Sequence, residues 1–283
     1  MQTADGVPFC EGARSLAVRG VRAGVAFAVQ DWVAEEVPVA LEFNGISHAV
    51  MLATPLDLED FALGFSLSEG ILEDCQELYE VEEEASAIGV TLHLRVASAA
   101  FARLKERRRS LTGRTGCGLC GTESLAHVAR VLPSLPDTTP LSRHAIARAM
   151  SQFCSLQILQ QATGGVHAAA WCSAQGEVKF LREDVGRHNA LDKLIGALAR
   201  NDVDAATGLV AVTSRASFEM VQKTAMAGVP LLAAVSAPTS FAVTTAQQAR
   251  MTLVGFARQQ DLSVYSHPER VALGTPNEAC NAR

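Results

Sequence analysis

The sequence lacks most of the features that assign a protein to a class at first sight. Only 5% of its residues are aromatic, and a net charge of -6 offers no basic excess that would favour nucleic acid. Arg215, Glu219 and Lys223 interrupt the most apolar region, so no membrane span is expected. The N-terminus shows no basic stretch followed by an apolar one, the pattern of a secretory signal. We therefore expect a globular, cytoplasmic protein with no nucleic-acid partner, and the 48% hydrophobic content is enough for a sizeable core.

Paired cysteines are almost absent. The chain has seven cysteines, and only Cys117 and Cys120 have the C-x-x-C spacing. No second such pair and no histidine pair at metal-ligand spacing accompanies them, so no structural metal is predicted. An odd, scattered set of thiols indicates a reducing compartment.

The cysteine pair lies in the glycine-rich segment Thr115-Gly-Cys-Gly-Leu-Cys-Gly, which follows the densest positive charge in the chain. The basic residues are Arg103, Lys105, Arg107, Arg108, Arg109 and Arg114. Nearby cations favour the thiolate, which is the nucleophilic form. Residues 122–132 have helical periodicity, and a helix N-terminus close to Cys120 would stabilise negative sulfur further. These features predict a reactive thiol loop.

The residues alone leave several interpretations of this pair open. A zinc site would need further ligands, and a thioredoxin-like redox pair would directly follow a strand of a β-α-β unit. A sulfur carrier would hold a thiolate on a mobile, glycine-rich loop. A structurally inert pair is the remaining alternative. The basic flank and the glycines favour the carrier.

Apolar periodicity predicts an α/β protein of two parts. Residues 37–43 and 46–52 flank Asn44-Gly45, a typical hairpin turn, and residues 57–70 and 142–161 are each predicted to be helical. Strands and helices alternate in the second half, which predicts a mixed sheet with helices on both faces. The predicted parts are a flexible lead-in (1–24), an N-terminal α+β module (25–110), the thiol loop (111–121), an α/β domain (122–273) and a tail (274–283).

Polar residues follow several predicted strands of the second half. Arg215 comes after one strand, and Thr239 and Ser240 precede a helix after the next. Hydroxyls and free N–H groups at a helix N-terminus can bind phosphate, and arginine matches its geometry. Arg187 and His188 belong to another charged segment at a helix start. The alternatives are ordinary helix caps for the hydroxyl residues and a solvated turn for the charged segment.

With these segments in hand, the sequence resembles the FdhD family, the sulfurtransferase accessory proteins of formate dehydrogenase. Matching stretches cover most of residues 36–265, in the same order, and together they are far more specific than one C-x-x-C. They are Asn44-Gly45, Thr54-Pro-Leu-Asp-Leu-Glu-Asp, Ser68-Glu-Gly, Gly116-Cys-Gly-Leu-Cys-Gly, Thr163-Gly-Gly-Val-His, Glu183-Asp-Val-Gly-Arg-His-Asn-Ala-Leu-Asp-Lys, Ser214-Arg-Ala-Ser-Phe-Glu and Ser236-Ala-Pro-Thr.

The resemblance implies a sulfur carrier. Such a protein takes persulfide sulfur from a cysteine desulfurase and passes it to the molybdenum or tungsten bis-molybdopterin guanine dinucleotide cofactor, which then serves formate dehydrogenase. It also implies a homodimer whose larger domain is similar to cytidine deaminases, and the deaminase zinc signature is absent from this sequence.

The resemblance further implies roles for individual residues. Cys117 corresponds to the persulfide carrier and Cys120 to an assisting thiol. The cofactor-contacting loop corresponds to Phe256, Ala257, Arg258, Gln259, Gln260 and Asp261, and the polar candidates Arg215, Thr239, Ser240, Arg187 and His188 would complete the cofactor pocket. Two other functions stay open: a cofactor-binding chaperone that transfers no sulfur, and a thiol-disulfide oxidoreductase.

Overall fold

The computed structural model describes residues 10–112 and 132–274, except for the side chains of residues 107–112 and of Cys154. Residues 113–121 of the predicted thiol loop and nearly all of the helix predicted from Thr122 lie outside the described residues, as do nearly all of the predicted tail and the first nine residues. The described chain contains two larger sheets, a two-stranded ribbon and a short parallel strand pair.

The N-terminal ribbon corrects the prediction of a flexible lead-in at residues 1–24. Strands β1 (Ala13–Arg22) and β2 (Val25–Ala34) pair antiparallel through their full length. Ala23 and Gly24 form the turn with φ angles of 50° and 81°. Asn-Gly or Asp-Gly would have signalled such a turn, whereas alanine at its first position does not.

The N-terminal module is built on a four-stranded sheet with the order β4-β3-β6-β5. Its strands are β3 (Val37–Phe43), β4 (Ile46–Ala53), β5 (Leu78–Ser86) and β6 (Gly89–Val96). The predicted hairpin turn at Asn44-Gly45 is confirmed, with φ angles of 45° and 80°. Helices α1 (Leu58–Ser68) and α2 (Ser98–Thr112) pack against the sheet, and their apolar residues complete one buried core with Phe43 and Leu92.

The second sheet has six strands in the order β13-β12-β11-β10-β8-β9. They are β8 (His167–Ser173), β9 (Val178–Asp184), β10 (Gly208–Val212), β11 (Leu231–Ala234), β12 (Thr252–Arg258) and β13 (Asp261–Ser266). The three strands β10, β11 and β12 are parallel, and an antiparallel neighbour flanks them on each side. The remaining strands, β7 (Leu141–Ser142) and β14 (Val271–Ala272), pair with each other.

Helices cover both faces of this sheet, which confirms the predicted mixed α/β fold. Successive residues of β10 alternate between two cores: Val210 and Val212 pack on one face, Leu209 and Ala211 on the other. The first core includes helices α6 (Arg187–Arg200), α7 (Phe218–Met226) and α8 (Ser240–Gln248). Among the helices described, none combines the length and apolar character needed to cross a membrane.

The helix predicted for residues 142–161 is broken into three pieces. They are α3 (Arg143–Ser151), α4 (Phe153–Leu156) and α5 (Ile158–Thr163), and short 3₁₀ turns occur elsewhere at Cys75–Glu77, Ala205–Thr207 and Pro268–Arg270. Gln157 leaves the helical region with φ and ψ of -82° and 82°. The carboxylate of Glu183 then accepts hydrogen bonds from the N–H groups of Leu159 and Gln160, both at 2.9 Å. Because this cap comes from a distant strand, periodicity could not reveal it.

The two modules meet where α1 crosses α6. Glycines allow the approach: a β-carbon at Gly64 would lie 1.7 Å from the carbonyl oxygen of Asp192, and one at Gly196 would lie 1.9 Å from that of Asp60. Ionic contacts surround the crossing, including Arg182 to Asp60 at 2.7 Å. The two helices are therefore in backbone contact, and a single methyl group would separate them.

Candidate functional site

The candidate site lies at the carboxyl edge of the six-stranded sheet, where the three parallel strands end. The loops after β10 and β11 run side by side, joined by a bridge between Ala216 and Pro238 and by a 3.1 Å hydrogen bond from Thr239 N–H to Ala216 O. Helices α7 and α8 begin directly after these loops. Strand β8 is antiparallel to β10, so its first residue, His167, lies at the same edge. Ligands of open α/β sheets bind at such an edge.

Four titratable side chains come together near the start of α6. They are Arg187, His188, Glu219 and His167. His188 Nε2 lies 3.9 Å from Glu219 Oε2, and His167 Nδ1 lies 3.4 Å from Thr213 Oγ1. Burial, together with the positive charge of Arg187, lowers the pKa of both histidines, that of His188 to about 4. Within residues 10–112 and 132–274, Arg187 Nε and His188 Nε2 are buried without a hydrogen-bond partner. Since such atoms normally have partners, their state fits a polar ligand at this point.

The hydroxyl residues at this edge have different roles. Thr239 caps α8, because its hydroxyl oxygen accepts a 3.3 Å hydrogen bond from Ala242 N–H, so the ordinary helix-cap alternative holds for it. Ser240 and Arg215 are solvent-exposed beside this cap. The structure therefore leaves Ser240 and Arg215 available for an anionic ligand, whereas the hydroxyl of Thr239 is already engaged.

The segment 256–261 is a tight hairpin rather than the loop that the resemblance implied. Phe256, Ala257 and Arg258 are the last residues of β12, and Asp261 is the first of β13. Phe256 has a φ of 51° and its N–H donates to Ser236 O at 3.3 Å, while Arg258 Nε donates to Val235 O at 3.0 Å. The exposed residues Gln259 and Gln260 form the turn. The segment is thus anchored to the loop after β11, which leads into α8.

Two phenylalanines at this edge were not identified from the sequence. Phe218 begins α7, Phe241 is the second residue of α8, and their rings stack with centroids 4.6 Å apart. Phe241 is 45% exposed. A phenylalanine at a helix start looks like an ordinary core residue in the sequence, and only the pairing of two neighbouring loops brings the rings together. A partly exposed aromatic pair can stack a planar ring.

Cys117 and Cys120 lie outside the described residues. Three thiols are described, and the pKa of each is raised, chiefly by burial: those of Cys10, Cys75 and Cys172, the last to about 12. A thiol with a raised pKa is a poor nucleophile at neutral pH. Burial thus disfavours the thiolate form at each of the three described cysteines.

Part of the predicted basic flank is engaged elsewhere, which corrects one step of the sequence argument. The Arg103 guanidinium donates to Ile71 O and pairs with Glu77 and, at 3.7 Å, with Glu73. Lys105 Nζ lies 4.0 Å from the ring centre of Phe101. The charge of Arg103 is thus neutralised within the N-terminal module, and stabilisation of a thiolate falls to the remaining basic residues.

No group of three metal-ligating side chains is assembled within residues 10–112 and 132–274. The carboxyl edge of the six-stranded sheet does offer cationic, hydroxyl and backbone N–H groups together with an aromatic pair. A guanine dinucleotide cofactor carries phosphates and planar rings, and these groups suit both. The residues present therefore fit the cofactor that the resemblance implied.

Comparison with known proteins identifies the family. A family model described as the FdhD/NarQ family matches residues 34–272. The chain belongs to the FdhD/NarQ family. The matched range includes Cys117 and Cys120, the buried end of β4 and the whole carboxyl edge of the second sheet, whereas β1 precedes it. The resemblance inferred from the sequence motifs is thereby confirmed.

Relatives within this family are similar along nearly the whole chain. The chain is 68% identical over 266 residues, 94% of its length and 96% of the relative's, to a Variovorax paradoxus protein named sulfur carrier protein FdhD. A Bordetella bronchiseptica protein of the same name is 56% identical, with 89% and 92% of the two chains covered. The crystal structure of a Desulfotalea psychrophila protein, described as a candidate formate dehydrogenase accessory protein, superposes with a TM-score of 0.72 over 92% of this chain and 99% of that one, at 22% identity. This last similarity shows that the fold is shared.

We predict that His188→Gln reduces the loss of stability on acidification. The folded-state pKa of His188 is about 4 against an ordinary 6.5. Below pH 6.5 the unfolded chain therefore binds a proton that the folded chain does not, and stability falls as the pH drops from 6.5 towards 4. Between pH 7 and pH 5 this linkage lowers the free energy of unfolding of the wild type by roughly 2 kcal/mol. The variant lacks the imidazole and should not show this loss. Urea unfolding at both pH values measures the difference, with the exposed His144→Gln as matched control. Parallel losses in wild type and His188→Gln would contradict the prediction.

Proposed function

We propose that this protein is a sulfur carrier for the metal cofactor of formate dehydrogenase. The observation that carries the proposal is the Cys117–Cys120 pair in a chain 68% identical to a protein named as an FdhD sulfur carrier. The raised pKa values of Cys10, Cys75 and Cys172 make these three thiols weaker candidates for the carrier. The proposed sulfur donor is a cysteine desulfurase, and the proposed recipient is the molybdenum or tungsten bis-molybdopterin guanine dinucleotide cofactor.

The loading step follows ordinary persulfide chemistry. The Cys117 thiolate attacks the outer sulfur of the persulfide on the desulfurase. A new S–S bond forms on Cys117, the S–S bond of the donor breaks, and the donor cysteine leaves as a thiolate. Cations close to Cys117 favour the attacking thiolate, and Cys120 assists as a second thiol. No external oxidant is needed, because the sulfane sulfur is exchanged between two thiolates.

The carboxyl edge of the six-stranded sheet is the proposed cofactor site. Arg215, Ser240 and the N-termini of α7 and α8 suit the phosphates, while Phe218 and Phe241 can stack a planar ring. Arg187 and His188 offer buried polar atoms without partners among the described residues. We propose that the exposed turn Gln259-Gln260 and the neighbouring Arg258 and Asp261 border the bound cofactor. The proposal also includes a homodimer, as the resemblance implied, and a cytoplasmic location, as the sequence composition predicted.

One experiment separates this function from its alternatives. Wild-type protein is incubated with a cysteine desulfurase and cysteine, and intact-mass spectrometry then looks for one added sulfur atom that dithiothreitol removes. A sulfur carrier gains this mass, whereas a cofactor chaperone does not. A disulfide oxidoreductase would instead form a reversible Cys117–Cys120 bond and reduce a generic disulfide. A chain that remains unmodified would refute the proposed transfer.

A further inference from the structure

Strand β4 of the N-terminal module ends in a buried polar network below the first turn of α6. Thr54 N–H donates to Asp184 Oδ2 at 3.0 Å, and the Thr54 hydroxyl oxygen accepts from Val185 N–H at 3.2 Å. Lys193 Nζ donates to Thr54 O at 2.9 Å and pairs with Asp184 Oδ2 at 2.7 Å. Thr54, Asp184 and Lys193 are each 0% exposed. Every polar group of Thr54 is thus used to hold the segment that leads into α6.

The same network holds the turn that carries Arg187 and His188. Asp184 Oδ1 accepts hydrogen bonds from Gly186 N–H at 2.7 Å and from Asn189 Nδ2 at 3.0 Å. Asn189 Nδ2 also donates to Leu52 O at 2.8 Å. Gly186 is the N-cap of α6 and has no side chain to cap it. Asp184 and Asn189 therefore hold the turn by hydrogen bonds from both ends, and each of them is hydrogen-bonded to the end of β4.

The cost of desolvating unpaired polar groups fixes the position of the turn at residues 184–189 relative to Thr54. Burying a polar group without its partner is unfavourable, and the turn cannot move away from Thr54 without leaving several groups unpaired. If the Thr54 hydroxyl is removed, the partly buried Val185 N–H loses its acceptor. The turn must then shift to recover a partner, and Arg187 and His188, which follow within three residues, shift with it.

We propose that the strand end Leu52–Thr54 is a positioning element of the candidate site, acting through the Asp184–Asn189 turn to hold Arg187 and His188 at the carboxyl edge. The N-terminal module would then contribute to the site without touching the ligand. The effect on ligand binding rests on the proposed function, whereas the effect on His188 does not. A purely structural network would lower the stability of the protein and leave the surroundings of His188 unchanged.

The test compares Thr54→Val, which keeps the shape and loses the hydroxyl, with Thr54→Ser, which keeps the hydroxyl. Thr207→Val is the matched control, because the Thr207 hydroxyl also makes a hydrogen bond, to Asp204 O at 2.8 Å, but at the opposite end of β10. The first measurement is the protonated fraction of His188 at pH 6, by NMR of ¹³C-labelled histidine, with the signal assigned from His188→Gln. Burial of the ring lowers this fraction most, and the charged groups that also act on it are Arg187, Glu219, Lys223 and Glu69.

We expect Thr54→Val to raise the protonated fraction of His188 at pH 6 from near zero to roughly one half, as the imidazole returns towards ordinary behaviour. Thr54→Ser and Thr207→Val should remain near zero. The second measurement is the dissociation constant for guanosine diphosphate, the nucleotide portion of the cofactor, which should rise about tenfold in Thr54→Val alone.

An unchanged His188 signal in folded Thr54→Val would overturn the proposal. Asn189→Ala acts on the turn from the α6 side and should reproduce the shift if Thr54→Val does not fold; failure of both variants to fold would mark the network as a folding element and also overturn it. If wild-type protein binds no guanosine diphosphate, the cofactor part of the proposed function fails. The NMR measurement still decides the positioning role in that case.

Discussion

Cys117→Ser is expected to abolish persulfide loading and leave the fold unchanged. Serine is nearly isosteric with cysteine, but its hydroxyl is not ionised at neutral pH and cannot hold sulfane sulfur. Intact-mass spectrometry after incubation with a cysteine desulfurase and cysteine should show the added sulfur on wild type and background on the variant. Activation of formate dehydrogenase by the variant should fall to background in parallel.

Cys120→Ser is the matched variant for this experiment, since it makes the same change three positions along the chain. If Cys120 only assists, this variant should still acquire sulfur, at a lower rate. Equal loading of wild type and Cys117→Ser would assign the carrier role to another thiol. A Cys117→Ser variant that acquires no sulfur but still activates the dehydrogenase would favour the cofactor chaperone.

Gly64→Ala is expected to destabilise the protein by about 3 kcal/mol or more. Within an isolated helix the same change would stabilise by about 1 kcal/mol, because alanine is the better helix former. At the crossing of α1 and α6, however, the new β-carbon would lie 1.7 Å from Asp192 O. The helices must then move apart, and the buried contacts beside them loosen. The two effects have opposite signs, and the steric one is the larger.

Thermal unfolding measures the outcome, and the midpoint of Gly64→Ala should fall by roughly 10 °C for a chain of this size. Gly165→Ala is the matched control, since its β-carbon would meet nothing closer than Thr163 O at 4.0 Å. A Gly64→Ala variant as stable as wild type would show that α1 does not press on α6 as the structure describes. Gly196→Ala tests the same contact from the opposite helix.

Local patterns predicted much of the fold correctly. The Asn44-Gly45 turn between two apolar runs is confirmed as the β3–β4 hairpin, because both residues adopt the positive φ angles that such a turn requires. The alternation of strands and helices in the second half predicted a mixed sheet covered on both faces. The turn and the succession of strands and helices depend on residue type and on local periodicity, which the order of side chains encodes directly.

The errors arose where distant parts of the chain decide local structure. Glu183 caps the start of a new helical segment at residues 158–160, although periodicity continues through the break. Arg103 belongs to a basic run in the sequence, yet Glu77 and Ile71 engage its guanidinium. The resemblance assigned residues 256–261 to a cofactor-contacting loop, and their conformation as a hairpin depends on hydrogen bonds to Val235 and Ser236. Each partner comes from another element.

The sequence by itself determined the family, the order of the strands and helices in the second half, and the cysteine pair on which the proposed chemistry depends, because these are properties of residue type and spacing. Only the tertiary structure decided which polar residues share one edge of the sheet, that Phe218 stacks on Phe241, and that the end of β4 lies below the turn bearing His188. The physical reason is that sheet pairing and burial join segments that are separate in the sequence, and Thr54 and Asp184, for example, are 130 residues apart. Their contacts are selected by the desolvation and packing of the whole molecule rather than by any local pattern.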